Sequence, residues 1–384
     1  MAPDASGSEP PGRVAPHLDR PRFAVLAEGL FDRENAKTAT GAIRYIPDQI
    51  AAVIDSATAG RTAGDVLGFG GDIPVVCTLA EALELNPPPD ALLIGIAPPG
   101  GGLPTEWCSM LASTLERGLS IWSGLHTAIS HDPELRRLAN EHGVEIRDLR
   151  VPPPDLTIGT GAARHTDAYR VLTVGMDCNV GKMTVSLELR RGLRERGLKA
   201  TFGGTGQTGI LIDGHGIAVD AVVADFIAGA TEHLTIEAAR DADVVLVEGQ
   251  GSLLHPSYSG VALGLMHGSM PDAMILCWMP GRPFIYGGRY DWVQLPSIEE
   301  GVRLHEEAMA WVCPEQPSRV IGLAANTNNM PENEARLAID EARERTGLPA
   351  TDPIRFGLDP LVDAVMVGAG LSGSSPRPGC VSSP

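Results

Sequence analysis

Val171-Leu-Thr-Val-Gly-Met-Asp-Cys-Asn-Val-Gly-Lys-Met-Thr184 decides the fold of this chain. A β-branched run ends at Gly175, a short polar turn follows, and Gly181-Lys182 opens a helical stretch. Strand, glycine turn and helix in that order form a phosphate-binding loop. Backbone N–H groups and the helix N-terminus cradle an anion while the lysine reaches along it. Gly175, Asp177, Asn179, Val180, Gly181, Lys182, Met183 and Thr184 are therefore candidate cofactor-binding residues. Two departures from the common pattern matter. Five residues rather than four separate Gly175 from Gly181, and Met183 stands where Ser or Thr would hold Mg2+. The loop points to a polyphosphate ligand without specifying nucleotide hydrolysis.

A second segment supports the first. Asp243-Val-Val-Leu-Val-Glu248-Gly-Gln-Gly251 is an apolar strand ending in a carboxylate and a glycine turn. Parallel strands are buried on both faces and present their carboxyl ends to ligand. Glu248 is thereby aimed at the phosphate site, where an acid orients a metal, a water or an attacking amine. Asp225, in Val-Asp220-Ala-Val-Val-Ala-Asp225, is the candidate partner of Glu248 around a metal, and Asp220 offers the same chemistry, with Glu232 following. His255 lies just beyond Glu248 with Ser252, but no Gly-x-Ser-x-Gly elbow marks a serine hydrolase. Asn326 ends another strand, where its amide suits a purine edge. Gln207, in Gly203-Gly-Thr-Gly-Gln-Thr-Gly209, suits a ligand wall, and Arg282, Tyr286 and Arg289 an anion clamp.

The chain has 384 residues, room for two ordinary domains, and 43% hydrophobic residues, enough for substantial cores. A net charge of −18 argues against nucleic acid or an anionic membrane as partner. The six cysteines form no Cys-x-x-Cys pair, and scattered reduced thiols fit the cytoplasm. The polar, Pro-rich start is not a signal peptide, and no apolar run is long enough to span a bilayer. A small-molecule substrate is the expected partner, with a homo-oligomer left open.

Residues 1–20 and 369–384 read as disordered tails rich in Pro, Ser and Gly. Residues 21–154 read as a Rossmann-like parallel sheet domain. Its expected strands are 23–27, 73–77, 91–97 and 119–122, with helices over 48–57, 106–117 and 133–141. The loop ending Gly100-Gly-Gly102 and the stretch Ser123-Gly-Leu-His126 fall where open α/β sheets bind ligands, which makes His126 a substrate-binding candidate. Lys37, Thr38, Thr40 and Arg44 follow the first strand and offer cations and hydroxyls suited to a carboxylate. Val151-Pro-Pro-Pro-Asp155 is a stiff linker into a second α/β domain, 155–368, with further strands at 200–202, 272–278 and 319–325 and helices at 298–312 and 332–346.

Gly175-x-Asp177-x-x-Val180-Gly181-Lys182 with Val247-Glu248-Gly249-x-Gly251 is similar to the dethiobiotin synthetase and cobyrinic acid amide synthase group of P-loop proteins. Over most of its length, through Ala36-Lys-Thr-Ala-Thr-Gly41, Gly124-Leu-His126, the 175–184 loop, Thr205-Gly-Gln-Thr-Gly209 and Val247-Glu-Gly-Gln-Gly251, the chain more closely resembles the D-glutamate N-acetyltransferase family. That resemblance implies a Rossmann-like domain followed by a P-loop NTPase-like α/β domain, acetyl-CoA as cofactor, and D-glutamate or a related small acidic amino acid as acceptor. Glu248, ending a buried strand beside the loop, is then the expected base for the amine, with Asp225 and His255 as further catalytic candidates. The first resemblance implies instead ATP with Mg2+, a carboxylate kinase or ligase, and Asp225 as metal ligand. A non-catalytic nucleotide-binding regulator is the third reading.

Overall fold

The computed structural model describes residues 20–33, 35–96, 103–315 and 317–371. Both expected tails, Ser372 to Pro384 included, and the glycine loop ending at Gly102 lie largely or wholly outside them. The chain divides into two compact units. One takes the chain up to Asp155 together with Gly206–Ala221; the other takes Leu156–Thr205 and the chain from Val222 onward.

The first unit runs β1 (Phe23–Leu26), α1 (Lys37–Tyr45), β2 (Ile50–Ile54), α2 (Ala63–Leu67), β3 (Val75–Val76), α3 (Leu79–Leu83), β4 (Ala91–Ile94), α4 (Thr105–Glu116), β5 (Ser120–Ser123), α5 (Pro133–His142) and β6 (Ile146–Asp148). All strand pairs are parallel, in the order β3-β2-β1-β4-β5-β6 of a doubly wound dinucleotide-type sheet. Alternate strand residues feed opposite cores. Phe23, Val25 and Leu93 meet Ala39, Ala42 and Ile43 of α1 on one face, whereas Leu26, Leu92 and Ile94 meet Leu111 and Leu115 of α4 on the other.

One expectation fails here. The helix expected over 48–57 is a 3-10 turn, Pro47–Gln49, leading into β2, whose five residues are all buried. Ile-Ala-Ala-Val-Ile has no polar face to give water, so a strand covered on both sides suits it better than an amphipathic helix. The stretch after β1 that carries Lys37, Thr38, Thr40 and Arg44 is the helix α1.

The second unit begins with β7 (Tyr169–Gly175), α6 (Lys182–Glu195) and β8 (Ala200–Gly203). The segment that follows carries α7 (Gln207–Asp213), which groups with the first unit and adds Ile210 and Leu211 to the core beside α1. The second unit resumes with α8 (Ile227–Ala238), β9 (Val244–Val247), α9 (Ser259–Ser269), β10 (Ala273–Trp278), α10 (Ile298–Ala310), β11 (Arg319–Ala325), α11 (Glu332–Thr346), β12 (Ala350–Thr351) and α12 (Asp359–Gly368). Its sheet is also wholly parallel, in the order β12-β11-β10-β7-β9-β8. β7 is central, flanked by β9 and β10, so the loop after it and the ends of its neighbours share one edge of the sheet. No helix among the described residues is long and apolar enough to cross a membrane.

Candidate functional site

The loop between β7 and α6 is wound as a phosphate cradle requires. Asn179 (φ 58°) and Gly181 (φ 101°) both take left-handed backbone, which turns successive N–H groups inward before α6 starts at Lys182. Gly175 makes room for the lysine: a Cβ there would stand 3.0 Å from Lys182 Nζ and 2.9 Å from a Val180 methyl. Lys182 is buried, and its Nζ donates to the Asp177 carbonyl at 2.8 Å. Burial pushes its pKa down, while Cys178, Cys277, Asp177 and Glu248 pull it back up. Met183 and Thr184 lie in the first turn of α6 and are partly exposed.

Glu248, just past β9, is 5% exposed; its Oε2 accepts from Thr205 N–H at 2.9 Å, and its carbonyl accepts from the Thr205 hydroxyl at 2.8 Å. The next residue is pinned. Gly249 N–H donates to the Thr173 hydroxyl (3.0 Å), itself 2.9 Å from the Ser186 hydroxyl of α6. A Cβ on Gly249 would fall 1.7 Å from the Thr173 carbonyl oxygen. Thr173, Ser186 and Gly249 thus lock β7, α6 and the end of β9 together and fix Glu248 near Lys182. The sequence reading passed over Thr173 and Ser186; their signal was a hydroxyl inside an otherwise apolar buried pattern.

Asp177, fully buried, organises the loop. Oδ1 accepts from Cys178 N–H (2.6 Å), and Oδ2 accepts from Arg282 Nη1 (2.9 Å) and Tyr286 N–H (2.8 Å). Arg282, expected to clamp an anionic substrate, instead ties the segment after β10 to the phosphate loop. His255, 2% exposed, packs its ring 4.5 Å from those of both Tyr258 and Tyr290. Burial lowers its pKa; Asp177 opposes that shift and Lys182 adds to it, so the ring is neutral near pH 7. Its Nδ1 accepts from Ser257 N–H at 3.1 Å, which places the proton of the neutral ring on Nε2.

Among the described residues, Asp177, Cys178 and His255 form the one group of three whose ligand-type atoms lie within 4.8 Å of one another. Their hydrogen bonds do not suit a metal. Both Asp177 oxygens are already engaged, and a metal-bound imidazole normally donates through its second nitrogen, whereas here Nδ1 accepts. Asp225 is exposed on the 3-10 turn Ala224–Phe226, while Glu248 is buried, and neither belongs to that group. Asp220 pairs with Arg150 inside the first unit, and Glu232 accepts from Thr160 and Ala162 N–H groups, a structural anchor for the segment before β7.

Of the first-unit candidates, Lys37 and Arg44 are exposed on α1, Thr40 is partly exposed, and Thr38 is buried with its hydroxyl 3.0 Å from that of Thr208. Arg44 lays its guanidinium over the Phe69 ring, 4.0 Å from the centroid. Spacing on one helix groups Lys37, Thr40 and Arg44 and turns Thr38 elsewhere. Gln207 accepts from Arg150 (2.8 Å), and its side chain occupies the space a Cβ on Gly124 would need, 2.6 Å away. Gly124 and Gln207 are therefore packing partners in this structure. His126 is exposed after β5. Asn326 lies at the end of β11, where its N–H donates to the Trp278 carbonyl (2.8 Å). Arg150, which also donates to the Gly124 carbonyl, was absent from the sequence reading because its partners are distant in sequence.

Known proteins match both units. Residues 157–362 match the profile described as "Domain of unknown function (DUF1611_C) P-loop domain", and residues 56–152 match "Domain of unknown function (DUF1611_N) Rossmann-like domain". A D-glutamate N-acetyltransferase from Tritonibacter scottomollicae is 43% identical over 276 residues, 71% of this chain and 80% of that protein. Another, from a Pseudoalteromonas species, is 37% identical over 74% of this chain and 83% of its own length. A crystal structure of a DUF1611 family protein from Anabaena variabilis superposes with a TM-score of 0.86 at 38% identity, covering 91% of this chain and all of that one. The chain therefore belongs to the DUF1611 family, with acyltransferases among its relatives.

Proposed function

We propose that the protein transfers an acetyl group from acetyl-CoA to the amino group of D-glutamate or a closely related small acidic amino acid. The observation that carries this reading is the similarity, over more than two thirds of the chain, to two proteins named D-glutamate N-acetyltransferase. The geometry is compatible with it. The cradle around Lys182 suits the diphosphate of coenzyme A, and Met183 in the place of a metal-binding hydroxyl costs nothing when no phosphoryl group is transferred.

In the reaction the amine nitrogen attacks the thioester carbonyl carbon. A C–N bond forms, the C–S bond breaks, the thiolate leaves and is protonated, and the nitrogen loses a proton. Glu248 is the carboxylate assigned to take that proton. With the diphosphate in the loop, the pantetheine arm must turn back toward the end of β9 to bring the thioester within its reach.

The test is a mass-spectrometric assay with acetyl-CoA and D-glutamate, L-glutamate and other acidic amino acids, with and without chelator. Chelator-insensitive formation of N-acetyl-D-glutamate with an equal amount of free CoA is expected. No acetylated product from any acceptor overturns the proposal.

A further inference from the structure

Past Glu248, inside the second unit, the chain fixes one imidazole against the phosphate loop. The Ser252 hydroxyl donates to the Met176 carbonyl at 3.0 Å and ties this segment to the loop. His255 is 2% exposed and packs against the rings of Tyr258 and Tyr290, and the Tyr290 hydroxyl lies 2.8 Å from that of Ser257. Ser257 N–H donates to Nδ1, so the proton sits on Nε2, and that donor has no hydrogen-bond partner among the described residues. We propose that His255 Nε2–H donates to a phosphate oxygen of the ligand seated in the 175–184 loop, as a second side-chain grip beside Lys182. The inference rests on reading that loop as a phosphate anchor and adds a residue that recognises the anion.

Three features carry it. A ring nitrogen of His255 lies within 4.8 Å of an Asp177 carboxylate oxygen and of the Cys178 sulfur, both in the loop. The Asp177 carboxylate already accepts from Cys178 N–H, Arg282 and Tyr286 N–H, so it is not the acceptor this donor serves. The ring also feels the Lys182 ammonium, so a cation and an N–H stand together at the loop. An oxyanion accepts from both, whereas a cation would meet two donors and an acid whose oxygens are engaged. Last, a buried N–H without an acceptor is costly, yet two tyrosine rings and a backbone N–H hold this one in place. A donor oriented in advance loses little freedom when its anion arrives. The same contacts argue against a base: Nε2 carries its proton, and the Nδ1 lone pair is taken by Ser257 N–H.

The test compares wild-type protein with His255→Phe, which keeps a ring between the tyrosines but removes the donor, and His255→Gln, whose amide puts an N–H near the place of Nε2. By calorimetry, CoA and ADP should each bind His255→Phe about tenfold more weakly, and His255→Gln should recover most of the loss. In steady-state assays the same factor should appear in KM for acetyl-CoA rather than in kcat, and should vanish with S-acetylpantetheine, a thioester donor without phosphate. CoA and ADP affinities that do not change overturn the proposal. So does a loss that falls on kcat or persists with S-acetylpantetheine, which places His255 at the thioester. If ADP binding weakens as expected but wild-type protein acetylates no acceptor, the phosphate contact stands and the acetyl-CoA reading falls. If acetyl transfer proceeds and both variants match wild type, the contact falls and the reading stands. Binding of neither CoA nor ADP overturns both. Should His255→Phe fail to fold by circular dichroism, nitrogen NMR of the wild-type protein decides. The His255 Nε2 signal, assigned by its loss in His255→Gln, should shift on adding ADP, and a signal that ADP leaves in place refutes the contact.

Discussion

Replacing Lys182 by Met keeps the aliphatic stem and removes only the ammonium. Two consequences of opposite sign follow. In the liganded protein the variant loses a charge-assisted hydrogen bond to phosphate, roughly 1.5–3 kcal/mol, or about 10- to 150-fold in CoA affinity. In the free protein the ammonium is a liability. It is 7% exposed, and burial holds its pKa below the ordinary 10.5 despite the acidic groups around it. The unfolded chain then binds the proton more tightly than the folded one, so folding is penalised at pH values below the folded pKa. The penalty shrinks as pH rises through that value and is gone above about 10.5. Lys182→Met should therefore bind CoA far more weakly yet melt no lower than wild type near pH 7, with the stability difference fading toward high pH. Calorimetry with CoA and melting curves across pH read the two effects separately. A variant that keeps CoA affinity within about twofold refutes the phosphate grip. One that loses affinity and melting temperature together shows that the lysine holds up the loop through its bond to the Asp177 carbonyl.

Glu248→Gln keeps the size of the side chain and its capacity to accept from Thr205 N–H but removes its basicity. Turnover should fall roughly 10²–10⁴-fold while CoA binding persists, and full activity in steady-state assays eliminates Glu248 as base. Gly249→Ala drives a methyl against the Thr173 carbonyl and should destabilise the fold by about 1–3 kcal/mol, read as a lowered melting temperature; an unchanged melt shows that β7 and the end of β9 yield more easily than their hydrogen bonds suggest.

What could be read from the sequence, and what could not, divides along the reach of each interaction. β11 and α11 fall on the residues expected, because the apolar run Val320–Ala325 after Arg319 and a charged helix beginning after Pro331 are local signals. Lys182 and Glu248 were legible for the same reason: each is fixed by the spacing of glycines a few residues away. The strand Ile50–Ile54 was misread because five consecutive apolar residues carry no period with which to choose between strand and helix. The glycines before α7 hid a short helix whose stability comes from packing in the first unit, far from its neighbours in sequence. Side-chain pairings across the chain left no local trace at all. Arg150 reaches Asp220 and Gln207, and Asp177 reaches Arg282. An anion cradle is built from contiguous backbone, whereas choice among ligands is built from side chains that only the fold brings together. The anion cradle was therefore readable early. The cations the sequence offered to a carboxylate could be sorted only by the fold, which engages Arg44 with Phe69 and, in the other unit, Arg282 with Asp177.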